Sequence, residues 1–198
     1  AIASLKPWLL KIGGQSMDKY AVNYRLQIPQ GGVKLNGGRL KNAFDQNISF
    51  LKGFDPDRML YWFRVNAGRK APGAPYAFGD GHFENNLHGQ TAGEILMGAG
   101  TSLLWKEDAT LRSMVCQLLR ELEIYQAPDG YLIPVDRETF KTKEYPNYTR
   151  AWLTFGLLDA GYAGEELGFR LARGLGDFFN QCDVLPYVKD LNLGFQGI

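Results

Sequence analysis

The feature that most constrains this chain is the pairing of its helical segments. Leu111, Val115, Leu118, Leu122 and Tyr125 recur at the spacing of one apolar helix face. Asp108 can cap the start of that helix, and Pro128-Asp129-Gly130 ends it in a turn. Just upstream, Thr91 to Trp105 reads as another helix. Its Ala92, Gly93, Gly98, Ala99, Gly100, Thr101 and Ser102 are small enough to let a neighbouring helix approach closely. Only a short link around Lys106-Glu107 separates the two. The pattern then repeats. A helix over 147–160 is joined around Gly164 to one over 165–179, which carries Leu167, Leu171, Leu175 and Phe178. The stretch 127–147, rich in Pro, Lys and Glu, reads as a long connection between the pairs. So does 66–89, which holds seven glycines or prolines.

Two further helices precede these. Leu40, Phe44, Ile48 and Leu51 mark one over 39–52. Asp55-Pro56-Asp57 opens the next, with Asp55 as cap and Pro56 at the first helical position, and it carries Met59, Leu60, Trp62 and Phe63. Helix pairs that cannot bury their faces alone stack into arrays or rings. The expectation is therefore all-α: αα-hairpin repeats forming part of an (α/α)6 toroid, behind an irregular or extended N-terminal segment. Residues 1–37 form that segment, punctuated by glycine pairs and Pro29, and 38–198 form the N-terminal half of the toroid. Six helices are half of twelve. An open seam would expose more apolar area than a monomer tolerates, so the remainder of the toroid or another chain is expected to cover it.

The formal net charge of +1 gives no electrostatic case for a nucleic acid partner or an anionic membrane. No apolar run reaches the roughly 18–20 residues of a membrane span. The chain opens on Ala1 without a signal peptide, which a removed leader or a trimmed sequence would each explain; a periplasmic or secreted protein is the expectation, with the cytoplasm as the alternative. Cys116 lies in a helical apolar pattern and reads as a buried thiol.

Polar chemistry concentrates at two places. The first is 78–90, which holds both histidines, His82 and His88, with Asp80 and Glu84, and runs into a helix start where Gln90 and Glu94 lie one turn apart on one face. His82 and His88 could bind a metal with Asp80 or Glu84, but the spacing matches no strong zinc signature, and no metal is assigned. Asp80, Glu84 and Glu94 could supply the paired carboxyl groups of glycoside hydrolysis. Their competing reading is turn-forming and solvated first-turn residues. The second place is 144–152, at the entry to the equivalent helix of the next pair. There Tyr148 and Trp152 are i, i+4 neighbours able to form a sugar platform, and Arg150 can donate to a carboxylate or hydroxyl. The alternative is a core Trp152 and a surface Arg150.

An ordered set of motifs resembles a known family. Val33-x-Leu35, Asn47 to Leu51, Phe54-Asp55-Pro56-Asp57-Arg58-Met59-Leu60 and Phe63-Arg64-Val65-Asn66-Ala67-Gly68 resemble the opening of the β-L-arabinofuranosidase-type glycoside hydrolases of family 127 and its relatives. Gly81-His82-Phe83-Glu84, Gly89-Gln90-Thr91-Ala92-Gly93-Glu94-Ile95-Leu96, Gln126 with Asp129-Gly130-Tyr131-Leu132, and Tyr148-Thr149 with Gly156-Leu157-Leu158-Asp159-Ala160 follow in the family's order. The resemblance implies an (α/α)6 catalytic toroid followed by β-sandwich domains, and an oligosaccharide substrate. It implies a retaining mechanism in which a zinc-bound cysteine is the nucleophile and a glutamate assists. Those residues lie beyond this sequence, and neither Cys116 nor Cys182 matches them, so no cofactor is assigned within the chain. Where the family pattern has two histidines this chain has Gln90 and Glu94, and where it has His-Lys this chain has Ala151-Trp152. The expected function is hydrolysis of the O-glycosidic bond of a non-reducing terminal sugar on a pectic or arabinose-containing plant glycan, with an active site incomplete in this stretch. Glu94 and Glu84 are the catalytic candidates. His82, His88, Gln90, Tyr148, Arg150 and Trp152 are the substrate-binding ones. A catalytically silent carbohydrate-binding toroid, and an epimerase or lyase on the same fold, are the competing readings.

Overall fold

A computed structural model describes residues 33–76, 87–142 and 144–181. The described residues contain eight helices and no strand, so the chain is all-α. Of the irregular segment expected over 1–37, residues 33–37 are non-helical and the rest lies outside the described residues.

Helix α1, Gly38–Lys52, buries Ile48 and Leu51. Asp55 caps the next turn as expected, accepting from Asp57 N at 2.9 Å, and Pro56 takes the first helical position. The single helix expected there is two short ones, α2 (Pro56–Met59) and α3 (Tyr61–Asn66), broken at Leu60. Met59, Leu60 and Phe63, on either side of the break, are all buried in the core.

Helix α4 is Gln90–Trp105 and α5 is Ala109–Tyr125. Asp108 caps α5, accepting from Leu111 N at 3.0 Å. Leu111, Val115, Leu118 and Leu122 of the predicted stripe are fully buried, and Tyr125, its last member, is half-buried. The stretch 127–147 is more structured than a connection. Tyr131, Leu132, Ile133 and Val135 enter the core, and α6, Arg137–Thr142, buries Phe140. Helix α7, Glu144–Tyr162, starts earlier than expected, because Pro146 sits in its first turn, where no backbone donor is needed. Gly164, at φ +104°, reverses the chain into α8, Glu166–Gln181.

Glycines set the arrangement of the pairs. A Cβ on Gly93 would stand 2.6 Å from the backbone of Trp152 and Leu153. One on Gly100 would stand 2.5 Å from that of Asp159. The contact advances along both helices together, so α4 and α7 are parallel neighbours whose N-termini open at the same end. Each short link then returns its partner antiparallel, and α5 and α8 meet each other in a second layer. Arg112 of α5 ties the layer to the next hairpin through Glu165 Oε1 at 2.7 Å and the Ala163 carbonyl at 3.2 Å. Two layers of alternating direction are the repeat of an α/α toroid.

Candidate functional site

The two helix entries expected to carry chemistry are neighbours, with Gly93 of α4 level with Trp152 and Leu153 of α7, which begins earlier. At about 100° per residue, Gly93 and Gly100 face α7, and Glu94 and Thr101 lie one step round from them. On α7, Thr149, Leu153, Gly156 and Ala160 face α4, while Tyr148, Trp152, Phe155 and Asp159 share the adjoining side. The two sides converge on one groove: Thr101 Oγ1 donates to Asp159 Oδ2 at 3.3 Å across it. Glu94 and Gln90 stand at its mouth on α4, and Tyr148 and Trp152 on α7.

The amide of Gln90 donates to Glu94 Oε1 at 2.7 Å. Gln90 Oε1, Thr149 Oγ1 and Trp152 Nε1 are buried and have no hydrogen-bond partner in the protein. An unpaired buried polar atom carries a desolvation cost, so three of them at one end of two helices mark a place where the protein stops serving its own packing. Tyr148 and Trp152 meet edge to face, ring centroids 6.1 Å apart. One ring of such a pair can lie against the apolar face of a sugar while the other props it.

The remaining candidates are placed differently. Arg150 turns to the other side of α7, where its guanidinium lies 4.5 Å from the Phe179 ring of α8. It is half-buried rather than a surface cation, burial lowers its pKa, and its Nε has no partner. His88, in the turn before α4, stacks on Trp62 at 3.7 Å with the rings 8° apart. Its ring donates to the Pro134 backbone, and burial brings its pKa down to about 4, so it is neutral at physiological pH. Gly89, at φ +87°, makes this turn possible, since a Cβ there would stand 2.9 Å from Pro134 and 3.0 Å from Phe63. Glu84 and His82 lie outside the described residues, as do Asp80 and Cys182.

One groove residue was not singled out from the sequence as a candidate. Asp159 is half-buried, and burial raises its carboxyl above the usual range, with the Thr101 hydroxyl the only bond opposing the shift. Its signal was its position, seven residues past Trp152 and so on the same helix side.

The described residues do not fit a zinc ion, since they hold no cluster of three His, Cys, Asp or Glu side chains. Cys116, expected to be buried, is half-exposed on α5. Burial of its thiol and the neighbouring Glu165 raise its pKa, the opposite of what a metal ligand or nucleophile needs. Its place in the helix explains the correction: Val115 takes the inward position and Cys116 the flank.

No described helix is long and apolar enough to cross a membrane. The chain has no significant match among curated proteins or among solved structures. The sequence model described as the β-L-arabinofuranosidase, GH127 catalytic domain matches residues 32–188. The match covers most of the length and agrees with the paired, all-helical architecture, and the chain belongs to the β-L-arabinofuranosidase-like GH127 catalytic-domain family.

Proposed function

We propose that this protein is a glycoside hydrolase that releases a non-reducing terminal sugar from a pectic or arabinose-containing plant glycan, working outside the cytoplasm. The observation that carries the reading is the backbone contact of Gly93 with Trp152 and Leu153, which sets the Gln90–Glu94 pair of α4 beside the Tyr148–Trp152 pair of α7, with buried polar atoms of Gln90 and Trp152 left unpaired. Sugars present hydroxyls at the edge of the ring and C–H groups on its faces. Glu94, Gln90 and the Trp152 indole suit the first, and the aromatic pair suits the second.

Glu94 is the described carboxylate at the mouth, and Glu84 is its intended partner in acid–base work. His88, neutral and fixed by Trp62, accepts from a hydroxyl at the rim. Arg150, behind α7, holds the α7–α8 end through Phe179. Zinc, where the family uses it, belongs to residues outside those described, and no step here runs through it. Further helices of the toroid, or another chain, are the partners expected at the open seam.

The test is hydrolysis of a panel of aryl glycosides and plant oligosaccharides by the full-length protein in H2(18)O. Release of a free sugar carrying solvent oxygen is expected, and the Glu94→Gln variant should lose at least about tenfold in kcat/KM. Binding without turnover would establish the silent toroid instead, and a product without solvent oxygen a lyase or epimerase.

A further inference from the structure

The Gln90 amide has a fixed orientation. Its Nε2 donates to a carboxylate oxygen of Glu94 at 2.7 Å. A carboxylate only accepts, so turning the amide over would set oxygen against oxygen. Oε1 is therefore held on the opposite side. It is buried without a donor, on a side chain that is only 9% exposed. On the facing helix the buried Trp152 indole N–H has no acceptor. No described cation pairs with Glu94, because Arg150 is turned to Phe179.

The mouth thus offers a carboxylate and a carbonyl oxygen as fixed acceptors, with the Trp152 indole N–H as a buried donor that has no partner in the protein. A hydroxyl can donate to either oxygen and accept from the indole. A sugar carboxylate could use neither acceptor and would face Glu94 with like charge. We infer that the Gln90–Glu94 pair determines specificity: it accepts from two hydroxyls of the bound sugar, admits neutral sugars and turns away uronates. The inference rests on the hydrolase reading above and adds the donor–acceptor polarity of its sugar site.

The experiment is competitive inhibition of the full-length enzyme by L-arabinose, D-galactose and D-galacturonate, with Glu123→Gln on the exposed side of α5 as control. In the wild type the neutral sugars should inhibit at least about tenfold more strongly than the uronate. Glu94→Gln should narrow that ratio of inhibition constants by about tenfold. Gln90→Met, of similar shape but without the acceptor, should weaken neutral-sugar binding by about tenfold and leave rejection of the uronate in place. A uronate that binds as well as galactose, or an unchanged ratio in a folded Glu94→Gln variant, would overturn the inference while leaving the hydrolase reading intact. A loss confined to kcat would do the same, making Glu94 purely catalytic. Failure of the wild type to act on or bind any glycoside would remove both.

Discussion

Replacing Gly93 by alanine probes the seam between α4 and α7 most directly. The new methyl would stand 2.6 Å from the Trp152 carbonyl carbon and the Leu153 nitrogen, and 2.7 Å from the Trp152 oxygen. Ordinary contacts lie near 3.5–4.0 Å, and the obstructing atoms are backbone, so the helices must part by roughly 1 Å. Overpacking of this kind costs about 1–3 kcal/mol. Alanine returns about 0.5–1 kcal/mol in helix propensity. The net loss is about 1–2 kcal/mol, or roughly 2–8 °C in Tm for a chain of this size. Gly176 supplies the counterpart: it is exposed in α8 with nothing within 4 Å of a Cβ. There the same change keeps only the gain, and Tm should rise by roughly 1–4 °C. Both substitutions restrict the unfolded chain alike, so their difference isolates the native contact. Thermal melts followed by circular dichroism measure it. A Gly93→Ala variant as stable as the wild type would refute the parallel, backbone-to-backbone packing of α4 on α7.

Three further outcomes follow from the described side chains. His88 should titrate near pH 4 by NMR, and Trp62→Ala should return it toward 6.5. Because the fold lowers this pKa, His88 contributes stability above pH 6.5 that is lost as pH falls toward 4, and a flat melting profile over that window would contradict the stack. Asp159, raised by burial, has the opposite sign: its contribution is present in acid and lost as pH rises through its folded pKa. Asp159→Asn keeps an acceptor for Thr101 without the charge, so its Tm should exceed the wild type at pH 7 and converge with it in acid; a lower Tm at pH 7 would show that the ionised carboxylate is needed. Arg64 is buried and bonds both oxygens of Glu121, at 2.9 and 2.5 Å, and Asp57 at 2.8 Å. Arg64→Met should cost about 2 kcal/mol by denaturant titration, and a loss under about 0.5 kcal/mol would show the cluster to be solvent-screened.

The sequence was most legible where one side of a helix meets the core and its end has a side-chain cap. The α5 stripe and the Asp55 and Asp108 caps are cases in which local chemistry and tertiary position agree. It was least legible where tertiary contact decides. Nothing local marks the break at Leu60, and α6 is six residues long with Phe140 as its buried anchor, too short to display a helical period. The small residues of α4 announced a close neighbour but not which one, since glycine permits an approach from any helix. The site followed the same rule. Glu94, Gln90, Tyr148 and Trp152 are grouped as candidates because two neighbouring helix entries carry them. Arg150 was harder to place, since only the phase of α7 against α8 sends it to Phe179. Asp159 lay hidden because a single acid inside an apolar helix gives no sign of a Thr101 hydroxyl waiting opposite.

The glycine seam has a consequence for how such a pocket changes. The separation of α4 and α7 is fixed by main chain resting on main chain, at Gly93, Gly100 and Gly156. The side chains proposed to meet a ligand hang from that frame without bearing on its width. Residues 90, 94, 148 and 152 can therefore be exchanged to suit a different guest while the doorway keeps its dimensions, whereas a single methyl at any of the three glycines would move the doorposts themselves.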